Sequence, residues 1–235
     1  MLSRITASPL AIRVAPFAVF LALTLCQGRL GGHSQYWFYL AKTVTGALMI
    51  WVARPFIQEL RWTWSWEAWA VGVGMCVLWI GVDGYYPKLD DLLVRCGLTK
   101  AQSAADLARS AWNPPAHFGD GSGWAWLFIG VRLAGSALVV PPLEEVFYRS
   151  FLYRYLAAAD FQSIPLGLFR WTPFLAVSVF FGFEHPRWLA GILCGLVFQG
   201  LVCLKGRLGD AIAAHAITNL LLGLWVVWRG AWQFW

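Results

Sequence analysis

The sequence is poor in charged residues. Only 13% of its 235 residues are Asp, Glu, Lys or Arg, whereas about a quarter of the residues of a soluble domain are charged. A water-soluble domain of this length is therefore excluded, because too little polar surface is available. Apolar residues dominate instead: they make up 59% of the chain, and the mean hydropathy is +0.59. They occur in long blocks that approach the length of about 20 residues needed to cross a bilayer as a helix.

Alternating strand patterns are also missing. Backbone groups in lipid must form hydrogen bonds within the protein, so helices are the only reasonable spanning element for this sequence. The fold class predicted is all-α: a polytopic transmembrane helical bundle of about eight helices with polar residues in its interior. We find no internal repeat and no second domain, and we expect residues 1–235 to form a single integral membrane domain.

Cysteine and metal motifs are scarce. The five cysteines include no Cys-x-x-Cys pair, and the chain lacks His-Glu-x-x-His, which argues against a disulfide framework and a cysteine zinc site. The basic residues, which give a net charge of +6, are scattered at helix ends without a basic and aromatic patch. This pattern favours the lipid bilayer as the partner and no nucleic acid.

The apolar blocks predict helices at about 12–26, 36–53, 67–83, 124–142, 144–158, 172–185, 188–204 and 208–228. The break at residue 143 rests on Pro141 and Pro142, because proline suits the first turn of a helix and interrupts its interior. The first block is interpreted as a retained membrane helix, with the N-terminus on the cytoplasmic side. Residues 84–123 are predicted to be an extramembrane loop with a short amphipathic helix around Lys100–Arg109. A plain connector is favoured for this loop over a lid or substrate platform.

Ionisable residues inside apolar helices are costly and indicate a functional site. The first group is Glu144, Glu145 and Arg149. Glu145 and Arg149 are four residues apart and can pair on one helix face, while Glu144 is rotated by about 100° and can face a cavity. A structural ion pair near the start of a helix is the alternative reading.

Two further groups lie in later helices. His185 ends an apolar helix and is preceded by Glu184. The side chain of Glu184 points to a different side of the helix, where it either competes for the role of base or lies at the membrane interface. His215 and Asn219 share a face through their i, i+4 spacing. They could stabilise negative charge on a carbonyl oxygen or simply bridge helices by hydrogen bonds. Together these groups supply a base, a second base, anion donors and a charge anchor, as a water-activating peptidase requires.

The order Glu-Glu-x-x-x-Arg, Phe-x-x-x-His and His-x-x-x-Asn resembles the CAAX-protease and bacteriocin-processing family of intramembrane proteases, over roughly residues 124–228. Further segments are similar to bacterial CAAX prenyl protease-related proteins that accompany exosortase and PEP-CTERM protein sorting. These segments are Tyr-Pro-Lys-Leu at 86–89, Arg-Leu-Ala-Gly at 132–135, Trp-Leu-Ala-Gly at 188–191 and the final Trp-Gln-Phe-Trp.

The resemblance implies a role for each residue of the motifs. Glu144 and His185 would activate a water, His215 and Asn219 would form the oxyanion hole, and Glu145 would pair with Arg149. It implies no cofactor and no catalytic metal. It also implies a substrate that is a membrane-associated protein or peptide, exosortase-type sorting machinery as a partner, and a multi-pass location in the bacterial inner membrane. Two alternatives remain open: a catalytically silent scaffold or immunity-type partner, and a zinc peptidase that uses Glu144, His185 and His215.

Overall fold

A computed structural model describes residues 8–101 and 111–235. The amphipathic helix expected around Lys100–Arg109 falls almost wholly outside these ranges. Within them the chain forms nine α-helices and no strand, and two short 3-10 turns follow at Phe161–Ser163 and Trp232–Phe234. The helices are α1 Pro9–Leu25, α2 Ser34–Ala53, α3 Trp66–Gly81, α4 Leu89–Arg95, α5 Pro114–Phe118, α6 Gly123–Ala157, α7 Trp171–Phe183, α8 Trp188–Lys205 and α9 Gly209–Arg229.

The all-helical membrane fold predicted from composition is confirmed. Helices α6, α8 and α9 are long and apolar enough to cross a membrane, and α1, α3 and α7 are shorter apolar helices. Large apolar side chains lie on the outside, as at Trp51, Leu204 and Trp228, whose exposed fractions are 72%, 75% and 77%. Such exposed apolar surface is stable against lipid and costly in water. The protein is therefore a helical membrane bundle.

The helix break predicted after Pro142 is wrong, because α6 runs continuously through both prolines. Proline removes a backbone N–H, and its ring clashes with the carbonyl four residues earlier. A π-helical turn, Gly135–Val139, precedes the prolines, and the N–H of Val140 bonds to the carbonyl of Gly135. This wider turn shifts the hydrogen-bond register just before the prolines, so the helix continues. A second π-helical turn, Val146–Leu152, follows directly after Glu145.

The first of two compact units comprises Met1–Gln58, Ala104–Glu144 and Asn219–Trp235. Helices α1 and α2 pack against each other, and α2 packs against the first part of α6. Gly135 permits the close approach of α2, since a Cβ at this position would lie 2.6 Å from Thr43 Oγ1. The core of this first unit is aromatic and contains Tyr36, Tyr39, Trp112 and Phe128.

The second unit comprises Glu59–Ser103 and Glu145–Thr218. Helices α7 and α8 form a tightly packed pair joined by a short turn. Gly191 permits this approach, because a Cβ there would lie 2.9 Å from the Cα of Gly182 and 3.3 Å from Nδ1 of His185. Helix α3 is tied to α9 by the Thr218 hydroxyl, which donates to the carbonyl of Gly72 at 3.0 Å. The small residues of these helices thus let the backbones approach as in other membrane bundles.

Candidate active site

Glu145 is a fully buried carboxylate that holds two partners in the second unit. The Nε atom of Arg149 lies 3.2 Å from its Oε2 atom, and Nδ1 of His215 lies 3.0 Å from its Oε1 atom. The pair with Arg149 was predicted from the i, i+4 spacing and is present. The pair with His215 was not predicted, because no local sequence signal links residues 70 positions apart. Glu145 therefore connects the Glu-Glu-x-x-x-Arg and His-x-x-x-Asn motifs.

Arg149 lies over the ring of Phe181, with its Cζ atom 4.4 Å from the ring centroid. A cation over an aromatic face is attracted to the ring, and the attraction grows when water is excluded. Both Nη atoms of Arg149 are buried and lack a hydrogen-bond acceptor among the residues that the structure describes. The guanidinium is thus held by Glu145 and Phe181 while its two amino groups keep their donors for a ligand.

His185 lies in the turn directly after α7 and is oriented by a carbonyl of that helix. Its Nδ1 atom lies 2.8 Å from the carbonyl oxygen of Phe181, four residues earlier. A carbonyl oxygen only accepts, so Nδ1 must carry the proton, and the neutral ring then presents a lone pair at Nε2. The rings of Trp79 and Phe181 contact the imidazole, with centroids at 5.5 and 5.1 Å. His185 is therefore set up to accept a proton through Nε2.

His215 is fixed by a carboxylate in a comparable way. Its Nδ1 atom is directed at Glu145, and its ring stacks on that of Phe198, with centroids 5.1 Å apart. Because Nδ1 is the donor to Glu145, Nε2 donates a hydrogen bond only when the ring is an imidazolium. His215 can thus act as an anion donor in its charged form and as an acceptor in its neutral form.

Phe181 is the residue around which this cluster is arranged. Its ring contacts Arg149 and His185 as described, and its centroid lies 5.8 Å from that of His215. Phe181 is 1% exposed. Phe181 explains the spacing of Phe-x-x-x-His. Its carbonyl orients His185, and its ring lies against Arg149 and His215.

Glu144 and Asn219 belong to the first unit. Glu144 is buried in α6, and its charge interacts with that of Lys42 in α2. The side-chain amide of Asn219 donates to the carbonyl oxygen of Ser136 at 2.9 Å. That carbonyl lies in the π-helical turn of α6, where the shifted register changes which backbone oxygens the helix itself uses. Asn219 therefore bridges helices, and it keeps its second N–H and its carbonyl oxygen for other contacts.

Glu184, the additional carboxylate beside His185, accepts a hydrogen bond from the hydroxyl of Tyr148 at 2.7 Å. Sequence reasoning did not select Tyr148, although it lies within Glu-Glu-x-x-x-Arg and directly precedes Arg149. Tyr148 is buried, while Glu184 is exposed. This bond gives Glu184 a fixed position at the end of α7.

The segment Asp83–Leu89 holds the turn that carries His185. Arg187 Nε donates to Asp83 at 2.8 Å. Two backbone carbonyls also take part: Trp188 Nε1 donates to that of Pro87 at 2.9 Å, and the N–H of Leu89 donates to that of Pro186 at 2.9 Å. The first residues of the loop predicted at 84–123 are therefore more than a connector. We call Asp83–Leu89 the clasp.

Comparison with known proteins agrees with the resemblance of the motifs. Residues 122–221 match the family model described as type II CAAX prenyl endopeptidase Rce1-like. No curated protein and no solved structure gives a significant match. The matched residues include all six proposed site residues and the part of α6 that contains both prolines. The segment 122–221 is therefore similar to the Rce1-like type II CAAX prenyl endopeptidases, which supports the CAAX-protease and bacteriocin-processing family that its motifs resemble.

Proposed function

We propose that the protein is an intramembrane endopeptidase that hydrolyses a peptide bond of a membrane-associated or sorted protein. The observation that carries this proposal is the polar cluster of Glu145, Arg149 and His215, with His185 on the same Phe181 ring, in an apolar Rce1-like segment. Buried charges in an apolar bundle are expensive and are kept where function requires them. The family supports protease chemistry in general.

The proposed nucleophile is a water activated by Glu144 and His185. His185 supports this role because its Nδ1–H is used by Phe181, which leaves Nε2 to accept a proton. In the proposed step one of these two bases takes a proton from the water while the other accepts a hydrogen bond from it, and the hydroxide-like oxygen attacks the scissile carbonyl. The proton is then given to the peptide nitrogen, which leaves as an amine when the C–N bond breaks. Glu145 and Arg149 keep the surrounding charge balanced and orient His215.

The proposed oxyanion hole consists of His215 and Asn219. As the tetrahedral intermediate forms, the carbonyl oxygen becomes negative and is stabilised by N–H donors already in place. Glu145 fixes the ring of His215 through Nδ1, and His215 donates through Nε2 in its imidazolium form. Asn219 has a second amide N–H beyond the one used by Ser136. We place this chemistry in a multi-pass protein of the bacterial inner membrane, with exosortase-type sorting systems supplying the substrate.

A catalytically silent scaffold is the second candidate. The bonds from His215 to Glu145 and from Asn219 to Ser136 favour it, because both are helix-bridging contacts that would also stabilise an inactive bundle.

A third reading, a zinc peptidase using Glu144, His185 and His215, predicts activity that is lost on strong chelation and restored by zinc. Full activity after chelation excludes it.

The test compares membrane-protein termini in host cells that carry the wild type, Glu144→Gln or Asp120→Asn. Asp120→Asn is the matched control, since it neutralises an exposed loop carboxylate. We expect at least one new terminus to appear with the wild type and the control and to disappear with Glu144→Gln. A set of termini that is the same in all three strains, with all three proteins folded in the membrane, rejects the protease and favours the scaffold.

A further inference from the structure

Trp79 of α3 has an indole N–H that is buried without an acceptor. Its Nε1 atom has no hydrogen-bond partner among the residues that the structure describes. An unpaired buried N–H costs free energy, and phenylalanine would supply an aromatic ring at this position without that cost. The N–H therefore indicates a bound water or ligand. Trp79 also lies outside the matched segment 122–221, and it belongs to none of the three motifs.

Trp79 continues the buried face of α3. The buried residues of this helix are Ala68, Gly72, Met75 and Cys76. Trp79 follows the last two by four and three residues, which is the spacing of one helix face. Gly72 holds this face against α9, since a Cβ at this position would lie 2.6 Å from the Cβ of Ile217. This close packing fixes the rotation of α3 and thereby the side of the helix from which the indole projects.

The ring of Trp79 contacts the imidazole of His185. The two ring centroids lie 5.5 Å apart, and the rings are nearly perpendicular, with an interplanar angle of 79°. Because Nδ1 of His185 donates to the carbonyl of Phe181, the lone pair of the neutral ring is at Nε2. Within residues 8–101 and 111–235, Nε2 forms no hydrogen bond. An unused donor and an unused acceptor thus lie on adjacent rings and do not bond to each other directly.

We propose that Trp79 holds the reacting water against Nε2 of His185. The water accepts a hydrogen bond from Nε1 of Trp79 and donates one to Nε2 of His185, so both unused groups gain a partner. A buried water needs at least two such polar partners, and a bridging water is nearly as favourable as a direct hydrogen bond. His185 is only partly buried, so solvent can supply the water. The part of this water in hydrolysis rests on the proposed function, whereas its binding site is a property of the resting protein.

Trp79 would contribute to catalysis at the step in which the water loses a proton. When a base takes this proton, negative charge develops on the water oxygen, and the hydrogen bond from Trp79 becomes charge-assisted and therefore stronger. The same bond fixes the direction of the lone pair that attacks the carbonyl carbon. Since Trp79 touches the reacting oxygen, loss of its N–H should lower the rate of hydrolysis and not only the affinity for the substrate.

The first test is nuclear magnetic resonance on the full-length protein in micelles, with isotopically labelled nitrogen in the tryptophan side chains and no substrate added. The indole signal of Trp79 is the one that is missing in Trp79→Phe, or in Trp79→Tyr if the first variant does not fold. We expect a nuclear Overhauser transfer between this N–H and a bound water. The transfer should be lost in His185→Phe, which keeps an aromatic ring and removes the acceptor Nε2.

Absence of the transfer in the wild type overturns the proposal, because the N–H then points at the face of the imidazole or stays unpaired. A transfer that is unchanged in His185→Phe overturns it as well, since the water is then not shared with His185. Trp69→Phe is the matched control. Trp69 is 51% exposed in the same helix, and its replacement should leave the Trp79 signal and its transfer unchanged.

The second test measures how fast the membrane-protein terminus that depends on Glu144 forms in host cells with equal amounts of each protein. We expect Trp79→Phe to lower this rate about 10-fold, as for the loss of one hydrogen bond to a charged group. Trp69→Phe should keep the wild-type rate. An equal fall in both variants overturns the catalytic role of Trp79, because replacement of any tryptophan in α3 would then have this effect.

The two tests together separate this inference from the proposed function. Transfer to a water shared with His185, without any terminus that depends on Glu144, rejects the endopeptidase and leaves the water site intact. Formation of that terminus at the wild-type rate in Trp79→Phe supports the endopeptidase and rejects the role of Trp79.

Discussion

At the scale of single residues, Glu145 is the group on which the polar cluster depends. Its two oxygens are divided between Arg149 and His215, and its side chain is fully buried. Removing one partner of a buried ion pair leaves an uncompensated charge in a medium of low dielectric. The role proposed for Glu144 is different, because it concerns the water and not the stability of the cluster. Substitution of Glu145 should therefore lower the stability of the protein, whereas substitution of Glu144 should lower its activity.

We expect Glu145→Ala to lower the free energy of unfolding by about 3–5 kcal/mol, since Arg149 then stays buried without its carboxylate. The measurement is equilibrium unfolding in mixed micelles, followed by tryptophan fluorescence. Asp120→Asn serves as the control and should lie within about 0.5 kcal/mol of the wild type. If Glu145→Ala is as stable as the control, the carboxylate does not hold the cluster together and our account of it is wrong.

At the scale of elements, the clasp Asp83–Leu89 holds the turn that carries His185. The turn after α7 has no regular structure of its own, and it is bound to the clasp through the side chains of Arg187 and Trp188 and the backbone of Pro186. A base must be held within hydrogen-bond reach of the proton that it accepts. Loosening the turn should therefore impair catalysis without disturbing the rest of the unit.

The substitution Asp83→Asn tests this positioning role. It weakens the bond to Arg187 without changing the size of the side chain, and we expect kcat to fall by about 10-fold with little change in KM. Glu67→Gln is the matched control, because it breaks the ion pair with Lys205 elsewhere in the same unit. An equal fall in kcat for both variants would show that any lost ion pair has this effect and that the clasp has no special role.

At the scale of the whole molecule, composition and spacing predicted the fold class and one contact of the site. The low charge and long apolar blocks required a helical membrane protein, and the i, i+4 spacing gave the pair of Glu145 and Arg149. The continuity of α6 was missed, because proline rules describe α-helical register and the π-helical turn Gly135–Val139 changes that register. The bond of Glu145 to His215 was missed because it depends on tertiary packing alone.

Lys42 shows that some of the missed residues did carry a sequence signal. It is a single lysine in the predicted apolar helix 36–53, and an ionisable residue in such a helix indicates a functional site by itself. It was not predicted as a site residue because it matches none of the three motifs. Arg132 carried a similar signal within Arg-Leu-Ala-Gly, but its aromatic surroundings include Trp112 and Trp235, which are distant in the sequence. Only the fold reveals that the two cations contact the same aromatic ring.

The stability of the whole molecule should also depend on pH through two histidines outside the membrane helices. His117 Nε2 lies 2.9 Å from His33 Nδ1, which joins α5 to the turn between α1 and α2, and the rings of Tyr36 and Phe118 contact this pair. Burial, followed by the nearby His33, lowers the pKa of His117 below its usual value. The unfolded chain therefore takes up this proton at a higher pH than the folded protein does.

It follows that the folded protein loses stability as the pH falls through the ordinary histidine pKa of about 6.5. The loss should continue until the folded-state pKa of His117 is passed. We expect the thermal midpoint of the wild type in micelles to decrease between pH 8 and pH 5, and His117→Gln to show a smaller decrease, because the group that titrates is gone. His33→Gln should have an intermediate effect, since it removes the neighbouring charge but leaves His117 partly buried. Parallel curves for the wild type and His117→Gln would mean that this pair contributes nothing to the pH dependence.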